Sequence, residues 1–114
     1  MNHTDFHWMN GSVTYWDLTD IDETRPLSEQ LDCLKEDLAQ LQYPNGIALD
    51  IGWYPSFDRD GEFVLLLIRN EAWETPVFRG TAKDLPMLKE QISMAVGKIT
   101  QTLVLDGGLK RDDG

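Results

Sequence analysis

The sequence predicts an α+β fold, a two-layer sandwich in which a mainly antiparallel sheet carries two helices on one face, in the order β-α-β-β-β-α. Two observations predict the sheet. Large apolar residues alternate with a second set over residues 47–54: Ile47, Leu49, Ile51 and Trp53 with Ala48, Asp50, Gly52 and Tyr54. Residues 63–68 are continuously apolar. Alternation is typical of a strand with one buried face, and a short apolar run indicates a strand covered on both faces. The helices are predicted by apolar residues that recur every three or four positions in two other stretches.

The first strand and the first helix are predicted in the N-terminal half. Residues 11–18 are rich in β-branched and aromatic side chains, which favours a strand. Pro26 suits the first turn of a helix, because its φ is fixed. The helix predicted over residues 27–41 has an apolar face of five leucines: Leu27, Leu31, Leu34, Leu38 and Leu41. Its opposite face is predicted to be solvated and carries four acids: Glu29, Asp32, Glu36 and Asp37.

Three strands and the second helix are predicted in the C-terminal half. Residues 55–61 have turn chemistry, so the strands over residues 47–54 and 62–69 are predicted to form a hairpin. A short strand over residues 77–79 follows, at an edge or an end because of Pro76. The second helix starts at Asp84, a predicted N-cap. Its apolar side contains Leu85, Leu88, Ile92, Ala95, Ile99 and Leu103.

The length of 114 residues allows one hydrophobic core. Residues 1–105 are therefore predicted to form a single domain, and residues 106–114 a loose tail. No stretch approaches the roughly 20 apolar residues of a membrane span, and the first ten residues lack the pattern of a secretory signal. Cys33 has no second cysteine to pair with inside the chain. Together these observations predict a cytoplasmic protein.

The negative charge is concentrated in the N-terminal part of the chain. Residues 1–80 contain 15 acids and 5 bases, a net charge of −10, whereas residues 81–114 contain 5 of each. Such a field repels nucleic acids and anionic membranes, and it accelerates encounter with basic proteins. We therefore expect a protein partner, no nucleic acid and no membrane; a role of the acidity in solubility alone is the alternative.

Residues with catalytic or metal-binding chemistry are sparse. His3 and His7 lie in an N-terminal segment predicted to be mobile. Their spacing could hold a metal on a helix, but no Cys or His partner accompanies them and the segment has no helical pattern. Residues 58–62, Asp-Arg-Asp-Gly-Glu, lack the later ligands of a calcium loop and favour a hairpin turn. An enzyme that uses Asp50, Asp58 or Glu62 ranks last among the hypotheses. No enzyme class, cofactor or metal is predicted.

Aromatic side chains set among acids are the strongest indication of function. Tryptophan and tyrosine often dominate the energy of protein interfaces. Trp53 lies on the apolar side of its strand and is predicted to be buried, and we expect at least two of the four tryptophans to be buried. The candidate partner-binding residues are Asp50, Tyr54, Phe57, Asp58, Asp60, Glu62, Glu71, Trp73 and Glu74, and Tyr54 and Trp73 are the two aromatic residues most expected to be exposed.

Residues 46–80, GIALDIGWYPSFDRDGEFVLLLIRNEAWETPVFRG, resemble immunity proteins of bacterial contact-dependent growth inhibition and related polymorphic toxin systems. The resemblance covers roughly a third of the chain. It implies a cytoplasmic protein that binds one cognate toxin domain, often a basic nuclease, and blocks its active site. It assigns no role to any individual residue.

A second hypothesis uses the same surface differently. A small acidic adaptor or subunit of a larger assembly would employ it as a permanent interface. The immunity hypothesis predicts a monomer or a weak dimer when the protein is free, whereas the adaptor hypothesis predicts a stable complex without any toxin.

Overall fold

The computed structural model describes the backbone of residues 1–105 and the side chains of residues 1–103; the tail predicted over residues 106–114 lies outside the described residues. Five antiparallel strands form one sheet in the order β1-β2-β3-β4-β5, and one helix follows them. The elements are β1 Ser12–Trp16, β2 Ala39–Gln42, β3 Ile47–Tyr54, β4 Glu62–Arg69, β5 Phe78–Ala82 and α1 Leu85–Leu105. The α+β class is confirmed, and the predicted order with two helices is wrong.

The core lies between α1 and one face of the sheet. Every second residue of β3 and β4 points to it, including Trp53, which is 2% exposed, and Phe63. All six apolar residues predicted for the second helix are buried in this core. Asp84 caps the helix as predicted, because its carboxylate accepts the backbone N–H of Met87 at 2.9 Å. The strand predicted over residues 77–79 exists, but it runs over Phe78–Ala82.

The helix predicted over residues 27–41 does not form. Short 3₁₀ turns occupy Leu27–Glu29 and Leu31–Cys33, and β2 takes the end of the segment. The leucine pattern still predicted burial correctly at Leu34, Leu38 and Leu41. The backbone of this segment, however, bonds to the β3 region: Leu38 N–H donates to Ile51 at 2.9 Å, and the Lys35 carbonyl accepts from Trp53 at 2.7 Å. Pairing with a strand distant in sequence replaces the helical hydrogen bonds.

Gln30 holds the turns that stand where the predicted helix begins. It is a buried polar side chain, 4% exposed. Its amide accepts the N–H of Asp22 at 2.8 Å and donates to the carbonyls of Asp22 at 2.8 Å and Arg25 at 3.2 Å. A side chain that satisfies three backbone groups of a turn favours that turn over a helix.

The N-terminal segment packs on the domain, so the prediction that it is mobile is wrong. Met1 and Trp8 are buried. The indole N–H of Trp8 donates to the carbonyl of His3 at 2.8 Å, and the ring of Trp8 packs edge-on against Trp16 at 5.6 Å. The apolar area of these aromatic rings orders a segment whose sequence has no helix or strand pattern.

The second face of the sheet, turned away from α1, is hereafter the open face. Its central rows follow from the strand register: Tyr15, Gln40, Asp50, Leu66 and Arg79 form one row across all five strands. Leu66 is only half-buried, although β4 was predicted to be covered on both faces; its neighbours Val64 and Ile68 are buried. The fold therefore leaves polar and charged side chains on an uncovered sheet surface.

Candidate functional site

Asp50 stands at the centre of the open face, on β3 between Gln40 of β2 and Leu66 of β4. Its side chain is half-buried, and its carboxylate has no hydrogen bond or ion pair with any residue that the structure describes. Burial raises the pKa of Asp50 to about 6, and the nearby charge of Asp37 raises it as well. A carboxylate in this position is stabilised by an added cation or hydrogen-bond donor.

Glu36 and Asp37 form the acidic bulge, a two-residue loop that lies over the open face. Two backbone hydrogen bonds flank the bulge. The N–H of Trp53 donates to the carbonyl of Lys35 before it, and the N–H of Leu38 after it donates to the carbonyl of Ile51. Its backbone crosses Gly52, where an added Cβ would lie 1.8 Å from the carbonyl oxygen of Glu36. Only glycine allows this close approach. The absence of a side chain at Gly52 thus allows the bulge to lie on the sheet, where Asp37 lines one cleft with Asp50 and Glu36 lines another with Tyr54.

The cation nearest in sequence to the acidic bulge already has a partner. Lys35 donates to the carboxylate of Asp17, a bond that lowers the pKa of Asp17. Tyr15 also donates to Asp17, and the ammonium group of Lys35 lies 6.0 Å from the centre of the Tyr15 ring. Within the described residues, no ion pair includes Glu36, Asp37 or Asp50. The carboxylates at the centre of the open face therefore lack a directly paired cation among the described residues.

Two predicted aromatic residues line the hairpin end of this acidic centre. Tyr54 is 37% exposed, and its pKa is raised by burial and by the charges of Asp50, Glu36 and Asp37. Phe57 is 55% exposed and shares a shallow cleft with Tyr15 and the acidic bulge. The Phe57 N–H donates to the Leu34 carbonyl at 2.7 Å, which ties the hairpin loop to the segment that carries the bulge.

The remaining acids of the hairpin are less suited to binding than the sequence predicted. Asp60 and Glu62 share a cleft of about 550 Å³ with Arg79 and Lys83, and Glu36 of the acidic bulge lines the same cleft. Asp58 is exposed, and its carboxylate accepts the N–H of Asp60 at 2.8 Å within the turn. The two cations reduce the negative potential at this end, so the acidic centre lies at Asp50 and Asp37 instead.

The predicted residues of the loop after β4 lie at the opposite end of the sheet. Trp73 is 47% exposed and forms a wall of a cleft of about 430 Å³, together with Glu71. The floor of this cleft is Ala48 and Ile68, and three amides complete it: Gln40, Gln42 and Asn70. Glu74 is exposed next to Trp73 but does not line the cleft. Along an eight-residue strand the two ends are about 24 Å apart, and Asp50 lies between them.

A neighbouring cleft of about 370 Å³ surrounds Asp50 itself. Tyr15, Asp37, Ala39 and Gln40 line it, and Gln40 also belongs to the cleft beside Trp73. The two clefts therefore adjoin at Gln40 on β2. They bring a carboxylate, amides and the exposed rings of Tyr15 and Trp73 onto one surface.

Glu36, Asp37 and Tyr15 are the site residues that sequence reasoning missed. The first two were assigned to the solvated face of the helix that does not form. One signal was present: Ala39 and Leu41 alternate with Gln40 and Gln42, a period of two that indicates a strand. A strand at that position brings the preceding acids next to β3.

We expect Asp50→Asn to stabilise the protein at pH 7.5 by about 1 to 2 kcal/mol. This range is smaller than the full pKa difference implies, because water reaches the half-buried side chain and screens its charge. The unfolded carboxyl titrates near about 4, and the folded one at about 6. The folded state thus binds more protons in this window, and its stability falls as the pH rises from about 4 to about 6. Urea unfolding at pH 7.5 and pH 4 measures the effect, which disappears at pH 4.

The control for this prediction is Asp32→Asn, which changes an exposed acid in a 3₁₀ turn. It is expected to alter the free energy of unfolding by less than about 0.5 kcal/mol at either pH. A loss of stability in Asp50→Asn at pH 7.5 would mean that the carboxylate makes a stabilising contact.

The described residues contain no group of three or more His, Cys, Asp and Glu side chains arranged to hold a metal ion. No helix among them is both long and apolar enough to cross a membrane. Comparison with known proteins provides no relative: no family model, no curated protein sequence and no solved structure matches the chain.

Proposed function

We propose that this chain is a toxin-neutralising immunity protein, which binds a basic, nuclease-type toxin domain on its open face and covers the active site of that domain. The observation that carries the proposal is the Asp50 carboxylate: half-buried, central, and without a hydrogen bond or cation from the described residues. The resemblance of residues 46–80 to immunity proteins gives the class of partner.

Electrostatics supports a basic partner. Asp50 and the acidic bulge hold three carboxylates, none of which forms an ion pair with a described cation. An arginine or lysine of the partner that reaches Asp50 would form a charge-assisted hydrogen bond and compensate for the desolvation of the carboxylate. The net charge of −10 accelerates the encounter at low salt. A nuclease presents such cations in the cleft that holds phosphates.

Exposed rings support slow dissociation of the complex. Tyr54 and Phe57 lie on the hairpin side of Asp50, and Trp73 lies at the far end of the sheet. Rings of this kind bury a large area and lose few rotamers when they are covered. Rings on both sides of a charged centre also limit the access of water to it. We therefore expect the acids to accelerate association with the partner and the rings to slow its dissociation.

The test uses the purified chain as bait in lysate of its native host, with Asp50→Lys as the variant. Asp32→Lys is the matched control, because it changes the net charge equally but lies in an exposed 3₁₀ turn. We expect the wild type and the control to capture the same basic protein, and Asp50→Lys to bind it about 100-fold more weakly. Expression of the captured protein should arrest growth, and the wild-type chain, but not the variant, should relieve the arrest.

Two outcomes would contradict the proposal. One is a captured partner that binds Asp50→Lys as tightly as the wild type. The other is a stable complex with housekeeping proteins that have no toxicity, which is the result expected of an adaptor subunit.

A further inference from the structure

The outer face of α1 is an exposed surface unrelated to the open face. Met94 and Met87 are 57% and 44% exposed, and with Phe57 and Trp73 they are among the most exposed large apolar side chains of the described residues. They lie seven residues apart, and two helical turns bring such positions onto the same side. The stripe consists of Met87, Glu90, Met94, Gly97, Lys98 and Gln101, all of which are exposed.

Gly97 makes this face suitable for close contact with another helix. A Cβ added at Gly97 would have no atom within 4 Å, so nothing in the described structure covers the position. Glycine weakens a helix interior by about 1 kcal/mol compared with alanine, and this helix receives no packing benefit inside its own domain. A missing side chain leaves room for the side chain of a helix packed against it, and packed helices lie about 8 to 10 Å apart.

The charges of the stripe are complementary to those of the same stripe on a second, antiparallel copy of the helix. Glu90 and Lys98 lie four residues before and four residues after Met94. In an antiparallel pair of identical helices that cross at Met94, Glu90 of each copy lies opposite Lys98 of the other. The same operation places Met87 opposite Gln101 and Gly97 opposite Gln91. A two-fold interface requires this kind of self-complementarity.

The charge of the whole chain also selects this face for contact with a second copy. Because the net charge is −10, most surfaces of one copy repel the same surfaces of a second copy. Of the charged residues of α1, Lys89 pairs with Glu23 at 2.9 Å, and the stripe itself contains one acid, Glu90, and one base, Lys98. The outer face of α1 is therefore one at which two copies approach without local repulsion between acids.

We propose that two copies of this chain associate through the outer faces of α1, as an antiparallel helix pair centred on Met94. The pair spans about 21 Å from Met87 to Gln101, and a shallow crossing angle of about 20° keeps the helices in contact over that length. The contact is small, so the dimer is weak, with a dissociation constant on the order of 100 µM. The open faces remain uncovered, because α1 lies on the other side of the sheet.

Sedimentation equilibrium of the full chain from 10 µM to 1 mM at 150 mM NaCl tests the proposal. We expect a reversible monomer–dimer equilibrium in the wild type. Met94→Glu places two like charges at the two-fold axis and should weaken the dimer at least about tenfold. Met94 is exposed, so the variant should fold, and circular dichroism checks this. A wild type that is monomeric at 1 mM, or a dimer unchanged by Met94→Glu, would overturn the proposal.

Charge reversal gives the second arm of the test. Glu90→Lys and Lys98→Glu should each weaken the homodimer by roughly fivefold, since every pair then contains like charges. An equimolar mixture of the two variants should form a heterodimer about as strong as the wild-type dimer, because each lysine again meets a glutamate. A mixture that associates no better than either variant alone would rule out the antiparallel register.

Discussion

Trp53→Ala is expected to lower the free energy of unfolding by about 3 to 5 kcal/mol. The side chain is 2% exposed, and its ring packs edge-on against Phe63 with centroids 4.9 Å apart. Its indole N–H donates to the Asp58 carbonyl at 2.7 Å, so the residue also anchors the hairpin loop that carries Phe57. A loss of this size is a large part of the stability of a small domain. Urea unfolding followed by circular dichroism measures it.

Two further variants separate packing from hydrogen bonding. Trp53→Phe keeps most of the ring packing but leaves the Asp58 carbonyl without its donor, so a loss of about 1 to 2 kcal/mol is expected. Trp73→Ala removes an exposed ring and should cost less than about 1 kcal/mol. Equal losses at Trp53 and Trp73 would contradict the assignment of one ring to the core and the other to the surface.

Gly52→Ala is expected to destabilise the protein by about 3 kcal/mol or more. The new methyl group would lie 1.8 Å from the carbonyl oxygen of Glu36 and 2.7 Å from its carbon. These are backbone atoms, so no side-chain rotation relieves the contact. The neighbouring hydrogen bond from the N–H of Trp53 to the carbonyl of Lys35 holds them in place. The acidic bulge must move away from Asp50. The variant should therefore lose partner binding as well as stability.

Gly97→Ala is the matched control for Gly52→Ala. Both replace a glycine by alanine, but the Cβ at Gly97 meets no atom within 4 Å. An alanine there favours the helix and should stabilise the protein by about 1 kcal/mol. A Gly52→Ala protein as stable as the wild type would show that the bulge does not lie against the sheet as described.

The alternation of residues 47–54, the apolar run of β4 and the stripe of α1 predicted three elements correctly, because each pattern matches the period of its own structure. The five leucines of residues 27–41 predicted burial but not conformation. Leucines every three or four residues also point inward from successive 3₁₀ turns, and the pairing of Leu38 with Ile51 depends on a strand that lies later in the chain.

The sequence predicted the exposed aromatic residues of the candidate site, but only some of its acidic residues. Tyr54 and Trp73 are exposed as expected, since both lie in or beside turns. Asp50 was identified from its place opposite the apolar side of β3. Glu36 and Asp37 were not, because their position depends on the contact of their backbone with Gly52. No pattern in the local sequence reports a contact between residues sixteen positions apart.

The central claim is that the open face, with Asp50 at its middle, holds the partner. Carbodiimide labelling of carboxyl side chains, read by mass spectrometry in the free chain and in the captured complex, tests it most directly. We expect Asp37, Asp50 and Glu71 to lose labelling in the complex, while Asp32 and Glu90 keep theirs. A complex in which Asp50 labels as in the free chain, and protection falls on Glu90, would contradict the claim.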